Sequence, residues 1–470
     1  MNPKEFGHRA WSHDSIADLG FDWSRIGDPG IAPKDPFKVY LPRDAEDVVA
    51  AVAETTALGQ RLVIRGSGHS GNDLVLAEHG ALLVTTGMNR IRAVDPEVGS
   101  VTVEAGAYLA DVDRRLAACG LGLPIVGDHR HITAGGFASV GGVSPASHLY
   151  GLFVDNVRAI EYVTPTAERR RCGRDDDPAQ LRRLLTGCGR YGVIVSLELD
   201  VLRIDKSQVW LTNDANTFRS IDLFVEHGVS LMTEARGARM QRGYWTDVSD
   251  RRSPRFGQWA NYQVRPATAG GRLRRGVSQV TRSAYRRAAV HTPAPLQRLA
   301  QAGAGAAIVC APRHLTLQDA EVLADTVLNY GIGHPIRWFV AWVPLSRYRS
   351  AFHRIHSLFG RYRADTGCFT SISVLTQAIR SPYLGATAAD PYCQIMMICG
   401  VRPDRLTGRV LGDLVAELDD ICLDESALRY LHTPTTADPA KLAALDPNKI
   451  ADRAYEDSSE DYIRTREKRA

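Results

Sequence analysis

Residues 66–71 read Gly-Ser-Gly-His-Ser-Gly and follow a short apolar run, Arg61–Arg65, that reads as a strand. The pattern G-x-G-x-x-G after a strand marks a doubly wound dinucleotide fold only where it opens a helix, because the helix N-terminus then meets the pyrophosphate. Here Asn72-Asp73-Leu74-Val75-Leu76 follows, and Gly80 comes too soon for a helix. The context argues against that fold. The glycines keep one physical meaning in any fold: without side chains, their backbone N–H groups can approach a phosphate closely.

Two further glycine-rich stretches lie downstream, Thr133–Gly142 and Gly187–Gly192, both read as loops. Either the three close on one extended ligand, or they are three independent tight turns. Around them, strand and helix signals alternate. Asp44 can cap a helix over Ala45–Ala57, apolar at Val48, Val49, Val52 and Ala53. Strands are predicted at Ala81–Thr86, Val101–Glu104, Val157–Thr164 and Val193–Arg203, with a turn at Asp95–Gly99. Helices are predicted at Ala110–Ala118 and Pro178–Thr186. A second region, about Ser207 to Leu431, carries helical patterns at Asp319–Tyr330 and Ser346–Phe359 and strands at Trp338–Val343 and Cys393–Cys399. The class that follows is α+β.

The chain's 470 residues suffice for two or three domains. No window approaches the roughly 18 apolar residues of a membrane span, and Met1–Ser15 is polar and of mixed charge, so neither membrane nor secretion is expected. The eight cysteines are scattered with no C-x-x-C pair, which fits reduced thiols in a cytoplasm. Of 57 basic residues 50 are arginine. The net charge of +4 is too small to argue for nucleic acid. Charge is nonetheless segregated: Arg236–Arg287 holds 13 arginines against Asp247 and Asp250. That belt reads either as a solvated surface or as a docking face for an acidic carrier protein or anionic substrate. Its aromatics Trp245, Trp259 and Tyr262 are as easily core or pocket lining.

With these motifs in view, the chain resembles the FAD-binding flavoproteins of the para-cresol methylhydroxylase and vanillyl-alcohol oxidase type. The likeness rests on order and spacing: the helix after Val39, the Arg-Gly-x-Gly-His-Ser loop, Val101-Thr102-Val103-Glu104-Ala105-Gly106, the Thr-x-Gly-Gly stretch at Thr133, Tyr150-Gly151 with Asn156-Val157, and Gly189-Arg190-Tyr191-Gly192-Val193-Ile194. It covers nearly all of residues 37–205. Within the family it is closest to cytokinin dehydrogenases, which share the Gly-His-Ser loop and an Asp five residues before the Thr-Gly-Gly stretch. His334-Pro335, Phe339, Val343-Pro344, Ser346-Arg347 and Asp390-Pro391-Tyr392 extend it into the second region.

The resemblance implies a two-subdomain FAD-binding domain over residues 1–206, a substrate domain over 207–431 built on an antiparallel sheet covered by helices, and a segment 432–470 that returns to the first domain. It implies FAD bonded covalently through His69. Arg65, Gly66, Ser67, Gly68, Ser70, Asp128, Thr133, Gly135, Gly136, Ser139, Val143 and Ile194 are implied cofactor contacts. Berberine bridge enzymes add a cysteinyl link two residues before the equivalent of Thr133; His131 stands there, so one bond is expected. Asp128 matches the carboxylate that accepts a proton from a substrate amine, and His129 and His131 are bases by type. A His-x-His metal pair lacks a third ligand nearby, and no metal is expected. At the C-terminus only Tyr430, His432, Asp446-Pro447 and Ile450 echo the family, and residues 451–470 are charged.

The expected activity is a FAD-dependent oxidoreductase taking a hydride from an amine or alcohol carbon of a small molecule in bacterial specialised metabolism, with oxidative cyclisation as an extension. A redox-neutral cyclase or isomerase on the same fold, and a non-catalytic flavin-binding protein, are the alternatives.

Overall fold

The structure, a computed structural model, describes residues 19–23, 34, 36–71, 73–234, 237–248, 255–274, 276, 314–323, 336–386, 390–435 and 438–448. They form an α+β arrangement on three sheets.

The first sheet is parallel. Strands β1 (Lys38–Tyr40) and β2 (Leu62–Arg65) flank β3 (Ala81–Val84). Helix α1 (Ala45–Ala57) joins β1 to β2, and its cap is the one read from the sequence: the Asp44 carboxylate accepts hydrogen bonds from the Glu46 and Asp47 N–H groups, both at 3.0 Å. Val48, Ala51 and Val52 bury its inner face.

The second sheet is antiparallel, in the order β4 (Ile91–Asp95), β5 (Ser100–Glu104), β8 (Val193–Asp200), β6 (Val157–Val163), β7 (Arg169–Gly173). The predicted turn at Asp95–Gly99 links β4 to β5. Asp95 Oδ1 accepts from Glu97 and Val98 N–H, and Gly99 takes the left-handed conformation the turn requires (φ +73°). Helices α2 (Leu109–Ala117), α3 (Ala134–Val140) and α4 (Pro178–Leu184) pack around this sheet.

Helix α3 corrects a sequence expectation. The stretch from Thr133 to Gly142 reads as a loop, because each glycine costs a helix about 1 kcal/mol relative to alanine. Packing overrides that preference. Ala134 and Gly135 donate N–H to the carbonyls of Ala107 (2.9 Å) and Ala105 (2.8 Å), which docks the helix beside the end of β5. A Cβ on Gly135 would sit 2.7 Å from Ala105 Cβ, so the approach requires glycine.

The third sheet has eight antiparallel strands, in the order β12 (His314–Thr316), β9 (Trp210–Phe218), β11 (Phe256–Val264), β10 (Met240–Val248), β14 (Phe369–Ile379), β15 (Tyr392–Val401), β13 (Ile336–Pro344), β16 (Leu428–Arg429). Helices α5 (Ile221–Glu234), α7 (Tyr348–Thr366) and α8 (Gly408–Asp424) cover one face, over a core that includes Trp245, Trp259, Phe339 and Phe352. Each such side chain contributes roughly 1.5–3 kcal/mol on burial. Two helical expectations shift: that from Ser346 starts as α7 at Tyr348, after a single turn at Leu345–Arg347, and runs to Thr366. For Asp319–Tyr330, α6 (Leu317–Glu321) is described and residues 324–330 lie outside the described residues.

The other face of this sheet turns toward the five-stranded one. Val340, Trp342 and Tyr430 join the core built on β5, β6 and β8. The chain then returns: α9 (Pro439–Leu445) is followed by Asp446, whose carboxylate accepts from Arg190 Nη2 at 3.0 Å, both side chains being buried. Asn448 donates to the Leu185 carbonyl at 2.8 Å. The echo at Tyr430 and Asp446 thus folds against the first half of the chain. Ile450 and residues 451–470 lie outside the described residues.

The arginine belt is not a uniform surface. Within it, Arg242 is a half-buried partner of Asp128 and Arg239 donates to Tyr150 Oη. Arg236, 249–254, 275 and 277–287 lie outside the described residues. Trp245 and Trp259 belong to the helix-covered core, and Tyr262 packs with Leu211, Met240 and Leu315. None of the described helices is long and apolar enough to cross a membrane.

Candidate functional site

One cleft runs between the glycine segments and the inner face of the eight-stranded sheet, with a volume of about 250 Å³. Its first wall is the loop after β2: Gly66, Ser67, Gly68, His69 and Ser70. Gly68 has φ +79°, and a Cβ there would lie 2.1 Å from Arg65 Nη2, so the loop is wrapped over a guanidinium. Arg65 itself is buried and does not line the cleft; Nη1 donates to the Phe21 carbonyl at 2.9 Å. It supports the loop from beneath.

The second wall is Asp128 to Val143. A Cβ on Gly66 would lie 2.2 Å from Thr133 Oγ1, and one on Gly136 2.8 Å from the same atom. Two glycine segments therefore meet at Thr133. Ser67 Oγ donates to the His131 carbonyl, a second stitch. Thr133, Gly135, Gly136, Ser139 and Val143 all line the cleft. Ile194 of β8 lines it too, with Gly189 and Gly192 of the third glycine stretch. The three stretches close on one cavity rather than serving as separate turns.

Of the three predicted bases, Asp128 and His129 line the cleft and His131 does not. The His131 ring meets Tyr108 edge-on, 5.5 Å between centroids. Asp128 is about a quarter exposed; its Oδ2 accepts from Arg242 Nη2 at 3.0 Å, and its Oδ1 lies 3.8 Å from His129 Nε2. The guanidinium makes this a charge-assisted bond, stronger than one between neutral groups. The His129 ring lies 4.2 Å from that of His69, and Trp23 stacks on His69 at 5.8 Å. His69, His129 and Asp128 thus form one continuous polar patch.

Sequence reasoning missed Arg242 as a site residue, and also Trp23, Trp338, Gln377 and Gln394. The last three line the cleft from strands of the eight-stranded sheet. A signal existed for Gln394, a polar residue beside the apolar run Ile395–Cys399, whereas Gln377 sits in a strand that also holds Thr370, Ser371, Ser373 and Thr376.

The cleft fits an extended polar ligand. Glycines without side chains line its wall, and Ser70 Oγ is buried with no hydrogen-bond partner among the described residues. Gly66, Ser67, Gly68 and Ser70 suit a pyrophosphate, Thr133, Gly136 and Ser139 the remaining polar edges, and Ile194 and Val143 an aromatic ring system.

Comparison with known proteins agrees with that chemistry. Residues 36–173 match the family model of the FAD binding domain. An uncharacterized oxidoreductase of the fasciation locus of Rhodococcoides fascians is 33% identical over 161 residues, 34% of this chain and 36% of the relative. Cytokinin dehydrogenase 5 of Arabidopsis thaliana is 25% identical over 48% of this chain and 42% of its own length. L-Gulonolactone oxidase of Bos taurus is 29% identical over 35% and 37%. The chain spans roughly two fifths of the length of these relatives.

Proposed function

Because residues 36–173 belong to the FAD binding domain family, we propose that the chain is a FAD-dependent oxidoreductase that removes a hydride from an amine or alcohol carbon of a small molecule. Residues 37–205 hold the cofactor in this reading, and the eight-stranded sheet presents the substrate. FAD, when bound, supplies the hydride acceptor at ring nitrogen N5.

The protein's own part is to bind, orient and take a proton. Loss of hydride leaves positive charge on the substrate carbon and its heteroatom, and a positioned base relieves it. Asp128 is that base. Arg242 occupies Oδ2, which leaves Oδ1, beside His129, to receive the substrate's N–H or O–H proton. His129 can pass the proton on. His69 is the point of covalent attachment, one wall residue away from the base. The walls of Trp338, Leu375 and Ile398 keep water from the reacting centre. The arginine-rich segment, with Arg255 and Arg265 exposed among the described residues, remains our proposed dock for an acidic carrier of the substrate.

The observation that carries the reading is that Asp128, His129 and His69 share a cleft with the Gly66–Ser70 cradle. The test is anaerobic: purified holoprotein is mixed with a panel of small amines and alcohols, and the flavin absorbance is followed. Bleaching by at least one compound supports the proposal. Turnover of a compound without bleaching sinks it and favours a redox-neutral reaction.

A further inference from the structure

Strands β13, β14 and β15 line the cleft with apolar side chains except at one point, and Tyr430 and His432 flank them. Trp338 of β13, Leu375 of β14 and Met396 and Ile398 of β15 line it, and Gln377 and Gln394 stand among them. The two glutamines are direct cross-strand partners of β14 and β15. Strand period 2 puts Gln377 with Leu375, and Gln394 with Met396 and Ile398, on that face. Both glutamines are deeply buried, 2% and 4% exposed.

Buried amides are normally hydrogen-bonded, because an unmade bond forfeits the solvation the group had in water. This pair is under-used. Gln377 Oε1 has no partner among the described residues. Gln394 Nε2 reaches Met396 Sδ at 3.8 Å, and a thioether is a weak acceptor. The cleft therefore offers one open acceptor beside one donor with capacity to spare, on a floor that otherwise favours apolar rings.

We propose that Gln377 and Gln394 form a substrate subsite for a cis-amide edge, the adjacent N–H and C=O of a lactam carried on an apolar ring. Gln377 accepts from the ligand N–H and Gln394 donates to its C=O. Trp338, Leu375, Met396 and Ile398 pack on the ring. The proposal deepens the oxidoreductase reading and rests on it for the identity of the ligand as substrate. The pyrimidine rim of a flavin carries the same edge, so the test separates the two sources.

The FAD-loaded full chain is titrated by calorimetry with 2-quinolinone and with N-methyl-2-quinolinone, in which a methyl group replaces the N–H donor. A site built to pair a donor rejects the analogue without it. The expected result is binding of the lactam about tenfold or more tighter than its N-methyl form. Gln377→Leu erases that preference and Gln394→Leu weakens both probes, with FAD content and flavin spectrum unchanged. Equal binding of the two probes, no binding of either at millimolar concentration, a preference that survives Gln377→Leu, or unweakened binding in Gln394→Leu overturns the proposal. A flavin spectrum or FAD content altered in either variant without ligand also overturns it, and gives the pair to the flavin rim. Flavin reduction is not read here, so failure of the oxidoreductase reading shows separately.

Discussion

Arg242 Nη2 donates to Asp128 Oδ2 at 3.0 Å, joining two residues 114 positions apart across the candidate site. Arg242 sits on β10 of the eight-stranded sheet, and Asp128 precedes the helix that meets the glycine loop. The bond fixes the carboxylate from the eight-stranded sheet and leaves Oδ1 beside His129.

Asp128→Asn keeps the shape and removes the base. Flavin reduction by a true substrate should slow by roughly 10²–10⁴, with FAD content unchanged. Arg242→Met keeps the packing of the stem and removes the hydrogen bond. A misplaced base should cost roughly 10–10²-fold. Stopped-flow reduction measures both, and slowing below about threefold in Asp128→Asn would pass the role to His129.

His69→Ala should remove a covalent flavin link without unfolding the chain. Acid-denatured wild-type protein should give a yellow pellet and a mass increased by one FAD, and the variant a colourless pellet with flavin in the supernatant. Wild-type flavin found wholly in the supernatant would refute the bond while leaving FAD binding open.

Gly66→Ala should push Thr133 aside, because the new Cβ would meet Thr133 Oγ1 at 2.2 Å. Overpacking of this kind costs about 1–3 kcal/mol. The thermal midpoint and the FAD content should both fall. Adding Thr133→Ala removes the obstructing atom and should recover the midpoint. No recovery in the double variant would assign the defect to the loop backbone instead.

Lys206, Glu321 and Asp113 form a fully buried cluster: Lys206 Nζ donates to Glu321 Oε1 and Oε2 at 2.7 and 2.8 Å and lies 3.2 Å from Asp113 Oδ1. Burial pushes the Glu321 carboxyl up to about 8, and the nearby Asp113 charge adds to the rise, while Lys206 opposes it. The folded state thus holds a proton that the unfolded state releases above the usual carboxylate range. The stabilisation is complete at acid pH and is lost as pH rises to about 8, by at most about 1.4 kcal/mol per pH unit. Glu321→Gln mimics the protonated form, so urea midpoints of variant and wild type should diverge between about pH 4.5 and 8, the wild type falling. Parallel midpoints over that range would exclude the raised carboxyl. Lys206→Met strands a buried charge and should cost about 3–5 kcal/mol near pH 9.

Much of the first half of the fold was legible residue by residue, because its signals are local. Asp44 two and three residues before the N–H groups it caps, alternation along Val193–Asp200, and Gly99 in its turn each act within a few positions. Strands β9, β10, β11 and β14 were not read, because residues such as Thr217, Gln258 and Arg242 find burial or pairing only beside partners far along the chain.

The sequence by itself determined the α+β class, the Gly66–Ser70 loop with His69 in it, and Asp128 and Thr133 at their fixed spacing. Those are matters of short-range sterics: glycine where backbones must approach, caps where helices begin. Only the tertiary structure decided which of the candidates share a cavity. It turned Arg65 beneath the loop and His131 toward Tyr108, wound Ala134–Val140 into a helix against glycine's own preference, and brought Arg242, Gln377 and Gln394 to a cleft more than a hundred residues away from them. Propensity costs about 1 kcal/mol per glycine, whereas docking a helix against a core outweighs it, and that contact exists only once the sheets have packed.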